Sequence, residues 1–341
     1  MIDPTDEALS NWSIEDSWRP STYYGGSLGE ETDGYSPGDI VINELLAHSD
    51  EEPNDWVELY NTTDQMIDVS GWFLSDDGDE DANLMKYEIP VGSEIPAGGY
   101  LILTQDDHFG TEFAFSENGE TVYLTSGVDG DGRLTGYREQ EEFGASEVSI
   151  SFGRYTKTTG EVNFVAMDSQ TPGYLNSLPK VGPILISEIM YHHETDADVE
   201  YIELYNDSNI EVKLFDAEDN SWSFTEGIEC VLPASTSIPA YSYLVLTKDL
   251  AAFELAYPGV FALQWDSGKL DNDGEKVEIS LPGDEVDGIR KYIRIDRVGY
   301  DNSAPWPLNA DGGGKSLHRK AADQYGNDVD NWRSDSPTPG Q

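Results

Sequence analysis

The chain has 341 residues, 38% of them hydrophobic and 11% aromatic, which is enough for real cores and too much for a disordered polymer. Against 67 acidic residues stand 19 basic ones, a formal net charge of -48 that repels nucleic acid and anionic membranes and favours divalent cations, cationic ligands or plain solubility. The single cysteine, Cys230, excludes an intrachain disulfide, and no apolar run reaches the ~18 residues of a membrane span.

The first stretch, residues 1–37, begins Met1-Ile2-Asp3-Pro4, with neither the basic nor the apolar region of a signal peptide. It carries Asn11-Trp12, then Ser17-Trp18-Arg19-Pro20-Ser21-Thr22 and a glycine-rich turn at Gly25-Gly26. Two later stretches share this form: Asn163-Phe164 leading to Thr171-Pro172-Gly173, and Asn331-Trp332 leading to Thr338-Pro339-Gly340. Residues 1–37 are therefore expected to be the closing segment and linker of a preceding domain, and the chain a monomeric segment of a larger one.

A first domain is expected over residues 38–177. Its opening strand is Ile40–Leu46, and its partner is Trp56-Val57-Glu58-Leu59-Tyr60-Asn61. At period two, Val57 and Leu59 face a core, while Trp56, Glu58 and Tyr60 face the other way, and Asn61 ends the run in a turn. Strands are expected next at Tyr87–Ile89 and Ile95–Leu103, around proline and glycine turns. Asn118-Gly119 between alternating runs signals a hairpin, and Gly153–Tyr155 with Phe164-Val165 closes the domain.

After a linker at 178–183, the same order returns over 184–341. Ile184–Ile189 answers Ile40–Leu45, and Tyr201-Ile202-Glu203-Leu204-Tyr205-Asn206 answers the Trp56 stretch. Ile238-Pro239-Ala240, Asp273-Gly274-Glu275 and Ser316–Arg319 answer Ile95–Ala97, Asn118–Glu120 and Ser151–Arg154. Two insertions distinguish the second copy: Asp249–Gly259, a capped helical turn or two stopped by Pro-Gly, and Pro282–Lys291, polar and loop-like. Ile228–Leu232 reads as an apolar strand that buries Cys230. Short strands with frequent turns and little helix make the fold class all-β, two tandem β-sandwiches with short helical insertions in the second.

These motifs, in this order, resemble the bacterial lamin tail domain. The resemblance rests on Asn43-Glu44, Trp56–Asn61, Val69-Ser70-Gly71-Trp72, Ile95–Leu101 and Thr171-Pro172-Gly173. It extends to the second copy through Ser187-Glu188-Ile189, Tyr201–Asn206, Ile238–Ala240 and Thr338-Pro339-Gly340. Tyr241-Ser242 replaces Gly98-Gly99 there, and the Ser-Gly-Trp region is rewritten. The resemblance implies immunoglobulin-like sandwiches in tandem, found in exported or surface proteins beside other modules, and no catalytic residues. It does not carry over the chromatin binding of nuclear members, which the acidity opposes.

Glu44 and Glu188 lie within apolar strands, and Glu58 and Glu203 between aromatics. Such carboxylates suit a general acid/base pair across a cleft. They equally suit scaffold residues that accept from backbone N–H groups or from an arginine such as Arg154 or Arg319, and their recurrence in both copies favours the scaffold. Asp129 and Asp131 in Val128–Leu134, and Asp76, Asp77 and Asp79 in a second acidic loop, have the alternating oxygens and glycines of calcium loops without a full ligand set. The bland alternative is a solvated acidic turn. Calcium is the one cofactor entertained. The eight tryptophans offer a sugar-stacking platform or, more simply, core.

The expectation is a non-catalytic module pair from an extracellular or cell-surface protein, acting in adhesion, spacing or matrix interaction. Its partners would be protein or polysaccharide. The alternatives are a carbohydrate-binding accessory of a multidomain enzyme and a hydrolase using paired carboxylates.

Overall fold

Strands are the dominant regular element of the computed structural model, which describes residues 35–341 apart from 50–53, 81, 129, 131, 133 and 196–198. The closing segment expected at 1–37 lies outside the described residues up to 34. Two compact units emerge, residues 35–155 with 163–178, and 156–162 with 179–341.

The first unit contains β1 (Ile40–Leu46), β2 (Trp56–Asn61), β3 (Ile67–Asp68), β4 (Phe73–Ser75), β5 (Tyr87–Glu88) and β6 (Glu94–Ile95). It continues with β7 (Tyr100–Thr104), β8 (Gly119–Thr125), β9 (Arg138–Gly144), β10 (Phe152–Thr156) and β11 (Val162–Ala166). A five-stranded sheet, β11-β10-β1-β2-β7, faces a four-stranded one, β5-β4-β8-β9. Ile42, Val57 and Leu59 from the first sheet meet Leu74, Val122 and Leu124 from the second, all fully buried. Period-two alternation puts them there, because one face of each strand must leave water.

The second unit holds β12 (Ile184–Met190), β13 (Tyr201–Asn206), β14 (Val212–Lys213), β15 (Ser223–Glu226), β16 (Cys230–Val231) and β17 (Ser237–Ile238). Then come β18 (Tyr243–Thr247), α1 (Leu250–Ala256), β19 (Ala262–Gln264), β20 (Gly274–Val286), β21 (Ile289–Asp301), β22 (Ser316–Arg319) and β23 (Trp332–Asp335). Its sheets are β19-β18-β13-β12-β22-β23 and β16-β15-β20-β21. Each unit is thus an immunoglobulin-like β-sandwich.

The two copies agree down to a bulge. The β1–β2 register slips between Ile42 and Glu44, and the β12–β13 register slips between Ile186 and Glu188. The bulge leaves Asn43 or Ser187 unpaired and brings the glutamate that follows it, Glu44 or Glu188, opposite Glu58 or Glu203. Asn61 and Asn206 also match. Each buries its amide and donates to the backbone, to Gln65 O and Ile95 O or to Ile210 O and Ile238 O, which fixes the turn after the second strand.

Two details differ from the sequence reading, and one expected insertion agrees with it. Pro282–Lys291 is no loop, because it is the outer part of the long β20–β21 hairpin. The hairpin turns at Asp287-Gly288, with φ of 52° and 79°, values that suit an Asp-Gly turn. Asn118-Gly119 does not join two strands. Gly119 N–H donates to Ser116 O and closes a turn that leads into β8. The expected helical insertion is α1, and the Asp249 side chain caps it by accepting from Ala251 and Ala252 N–H.

Candidate functional site

Side by side on β1 and β2 stand Glu44 and Glu58, register partners, as Glu188 and Glu203 are on β12 and β13. All four are at most 2% exposed. A buried carboxylate needs donors, and each pair finds them in the segment that leaves its own unit. Glu44 accepts from Thr171 N–H at 3.1 Å and from Thr171 Oγ1 at 2.7 Å, while Ser151 Oγ donates to it at 2.6 Å. Glu58 accepts from Gly173 N–H and, at 2.7 Å, from Asn43 Nδ2.

The second unit repeats this latch. Glu188 accepts from Thr338 N–H at 3.1 Å and from Ser316 Oγ at 2.5 Å, and Tyr201 Oη also donates to it. Glu203 accepts from Gly340 N–H at 2.6 Å and from Ser187 Oγ at 2.7 Å. In both copies Thr-Pro-Gly clips onto the pair, its proline placed where the chain offers no N–H. Each glutamate therefore ties an early strand to the end of its unit.

The expected scaffold role is half right in its partners. Backbone N–H groups hold the glutamates, but the arginines are elsewhere. Arg154 pairs with Glu139 and Glu141, and Arg319 pairs with Asp296. Sequence reading missed Asn43 and Asn176. Asn43 Nδ2 also donates to Asn176 Oδ1 at 2.7 Å, and Asn176 Nδ2 donates to the carbonyls of Asn43 and Arg154. The available signal was an asparagine next to a strand glutamate. In the second unit Ser187 takes the place of Asn43, and His318 stands opposite Glu188 where Gly153 stands opposite Glu44.

Burial raises the Glu58 carboxyl to about 7, helped by the nearby Glu44 charge and opposed by the Gly173 and Asn43 donors. Glu203 is likewise pushed up to about 7 by burial, with Ser187 and Gly340 pulling down and the Glu188 charge pushing up. A carboxyl near 7 is what general acid/base chemistry uses. Here the carboxylate oxygens are occupied by the chain itself and out of solvent reach, so this arrangement fastens a strand rather than meets a substrate.

The acidic loops are placed separately. Asp76 pairs with Lys86 Nζ at 2.5 Å, and Asp77 lies 3.9 Å from the same ammonium while accepting from Asp79 N–H and Asn83 Nδ2. Asp129 and Asp131 lie outside the described residues. Among the described residues no three His, Cys, Asp or Glu side chains gather with metal-binding geometry. The six described tryptophans, including Trp72 and Trp265, are all buried, so no described tryptophan offers an exposed ring. Cys230 is buried, and burial lifts its thiol to about 12.

The order of strands, the glutamate after the bulge and the Ser-Gly-Trp corner of the first unit bear on its family. Residues 34–137 match the Lamin Tail Domain family. No curated protein and no solved structure shows a significant match. The lamin tail domain is an immunoglobulin-like structural module, in keeping with the sandwich seen here. The matched lamin-tail segment contains Glu44 and Glu58 and ends at Tyr137, whose hydroxyl receives the Ile40 N–H at 3.2 Å and donates to Ile40 O. The donors that complete its latch, on Thr171 and Gly173, lie beyond the match.

Proposed function

We propose that the chain is a tandem pair of lamin-tail-type modules of bacterial form, non-catalytic, from a larger exported or cell-surface protein. Their work would be spacing, adhesion or matrix interaction, with protein or polysaccharide as partner. The observation that carries this reading is the repeated latch. The four carboxylates with the strongest claim to chemistry are buried and spent on closing their own units. The second unit joins the reading through its identical bulge, glutamate pair and Thr-Pro-Gly, which the same physical job would require.

The test is direct. The intact chain is assayed for hydrolysis of glycosidic, ester and peptide substrates, alone and as Glu58→Gln and Glu203→Gln. We expect no turnover by any of them. Turnover by the wild type that either substitution abolishes would overturn the reading. Labelling of intact cells with an antibody to this chain tests the surface location, and signal only after lysis would contradict it.

A further inference from the structure

β7 and β18 hold the same place in their units. Ile102 lies opposite Glu58 as Val245 lies opposite Glu203. Their ladder bonds share a parity. Asn61 N–H donates to Gly99 O and Gln105 N–H to Asp55 O, just as Asn206 N–H donates to Ser242 O and Lys248 N–H to Glu200 O. The N–H and C=O groups of Tyr100, Ile102 and Thr104 therefore point to the outer edge, as do those of Tyr243, Val245 and Thr247.

In the second unit that edge is filled. β19 runs parallel to β18, with Val245, Leu246 and Thr247 opposite Ala262, Leu263 and Gln264. Trp265 N–H then donates to Thr247 O at 3.1 Å. Among the described residues, no strand pairs with the outer edge of β7. His108 Nδ1 accepts the Thr104 N–H at 3.0 Å, which leaves the outward groups of Tyr100 and Ile102 without a partner among the described residues. Exposure follows the missing strand. Leu244, Val245 and Thr247 are buried, whereas Leu101, Ile102 and Thr104 are half-buried.

We propose that the outer edge of β7 receives an extended peptide strand from a partner protein, parallel to β7, aliphatic at its centre and cationic at its flanks. The second unit supplies the template, since Ala262 and Leu263 show what this edge packs against. Main-chain bonds would supply affinity and the half-buried Leu101 and Ile102 the apolar contact. The flanking charge follows from Asp106 and Asp107, both exposed just past the edge, and from a net charge of -48 that disfavours a second copy of the chain. The proposal goes beyond the module reading and fails separately from it, because the donors of the first latch, Asn43, Ser151, Thr171 and Gly173, all lie outside β7.

The probe is a synthetic peptide with the sequence of residues 260–265 between lysines, titrated into the full chain and followed by anisotropy, with a scrambled peptide as control. We expect saturable binding, at least tenfold weaker for the scrambled peptide and for Ile102→Pro. Proline at 102 removes an outward N–H and no ladder bond, so an edge strand tolerates it. Amide exchange on the wild type reads the same point without a variant: peptide should slow exchange at Ile102 and Tyr100 and leave Val245 unchanged. Absence of binding, equal binding of the scrambled peptide, or unslowed exchange at Ile102 would overturn the proposal. So would self-association of the chain alone that Ile102→Pro abolishes, since a second copy would then occupy the edge.

Discussion

Gly340 N–H donates to Glu203 Oε2 at 2.6 Å across 137 residues of chain, and Gly173 makes the same bond to Glu58 in the first unit. One carboxylate oxygen on a second strand thus closes each sandwich. The bond joins a buried carboxylate to a backbone N–H of the segment that ends the unit.

The two latches should not tolerate an amide equally. Glu58 stands between two fixed donors, Gly173 N–H and the Asn43 amide, whose orientation Asn176 pins. Glu58→Gln must turn its own NH2 toward one of them, so a cost of ~1–3 kcal/mol is expected. In the second unit the corresponding donor is the Ser187 hydroxyl, which can reverse its role and accept. Glu203→Gln is therefore expected to cost less than ~1 kcal/mol. Denaturant melts of the two variants check the order, and a larger loss in Glu203→Gln would refute it.

Stability should rise as pH falls from 8 toward 5. Glu58, Glu120 and Glu203 all sit near 7 in the folded state, against 4.5 as the ordinary value, chiefly through burial. Between those values the folded chain binds more protons than the unfolded one, so unfolding releases protons and is favoured by raising pH. The penalty is absent below about 4.5 and complete above about 7. Each tenfold proton-affinity difference is worth about 1.4 kcal/mol. Thermal melts at constant ionic strength check this, and a midpoint that is flat or highest at pH 8 would contradict it.

Glycine is demanded by close approach at one repeated position. A Cβ on Gly119 would stand 2.7 Å from Phe143 O, and one on Gly274 2.7 Å from Tyr300 O, both at positive φ. Gly92 has a similar φ of +91° and open space around it. Gly92→Ala is expected to cost only the conformational term of about 1–2 kcal/mol. Gly119→Ala and Gly274→Ala should cost clearly more, because backbone must move. Equal midpoints for Gly92→Ala and Gly119→Ala would sink this.

Calcium is expected to bypass the Asp76–Asp77 loop, where Lys86 already supplies the counter-charge. Asp76→Asn should lower the thermal midpoint by the same amount in EDTA and in millimolar calcium. A loss seen only with calcium would show that the ion, not the lysine, is the partner.

Much of the fold was legible because strand faces and turns are local properties. Val57, Leu59, Ile202 and Leu204 declare a buried face by alternation, Asp249 declares a cap, and the return of Trp56–Asn61 as Tyr201–Asn206 declares duplication. The outer β20–β21 hairpin was missed because Pro282 and the charged Asp284 and Glu285 look like loop, and only pairing with Ile289–Tyr292 makes them strand. The glutamates were visible as candidates, but their partners were not, since a backbone N–H has no residue-type signature.

Sequence alone determined the all-β class, the repeat and the residues at risk of being buried while charged. Tertiary structure alone decided that Thr-Pro-Gly, more than 100 residues away, satisfies those charges, and that the β18 edge is filled while no strand among the described residues covers the β7 edge. The reason is physical. Alternation and turn chemistry act over a few residues, whereas ladder register and the satisfaction of a buried carboxylate depend on which distant backbone arrives beside it.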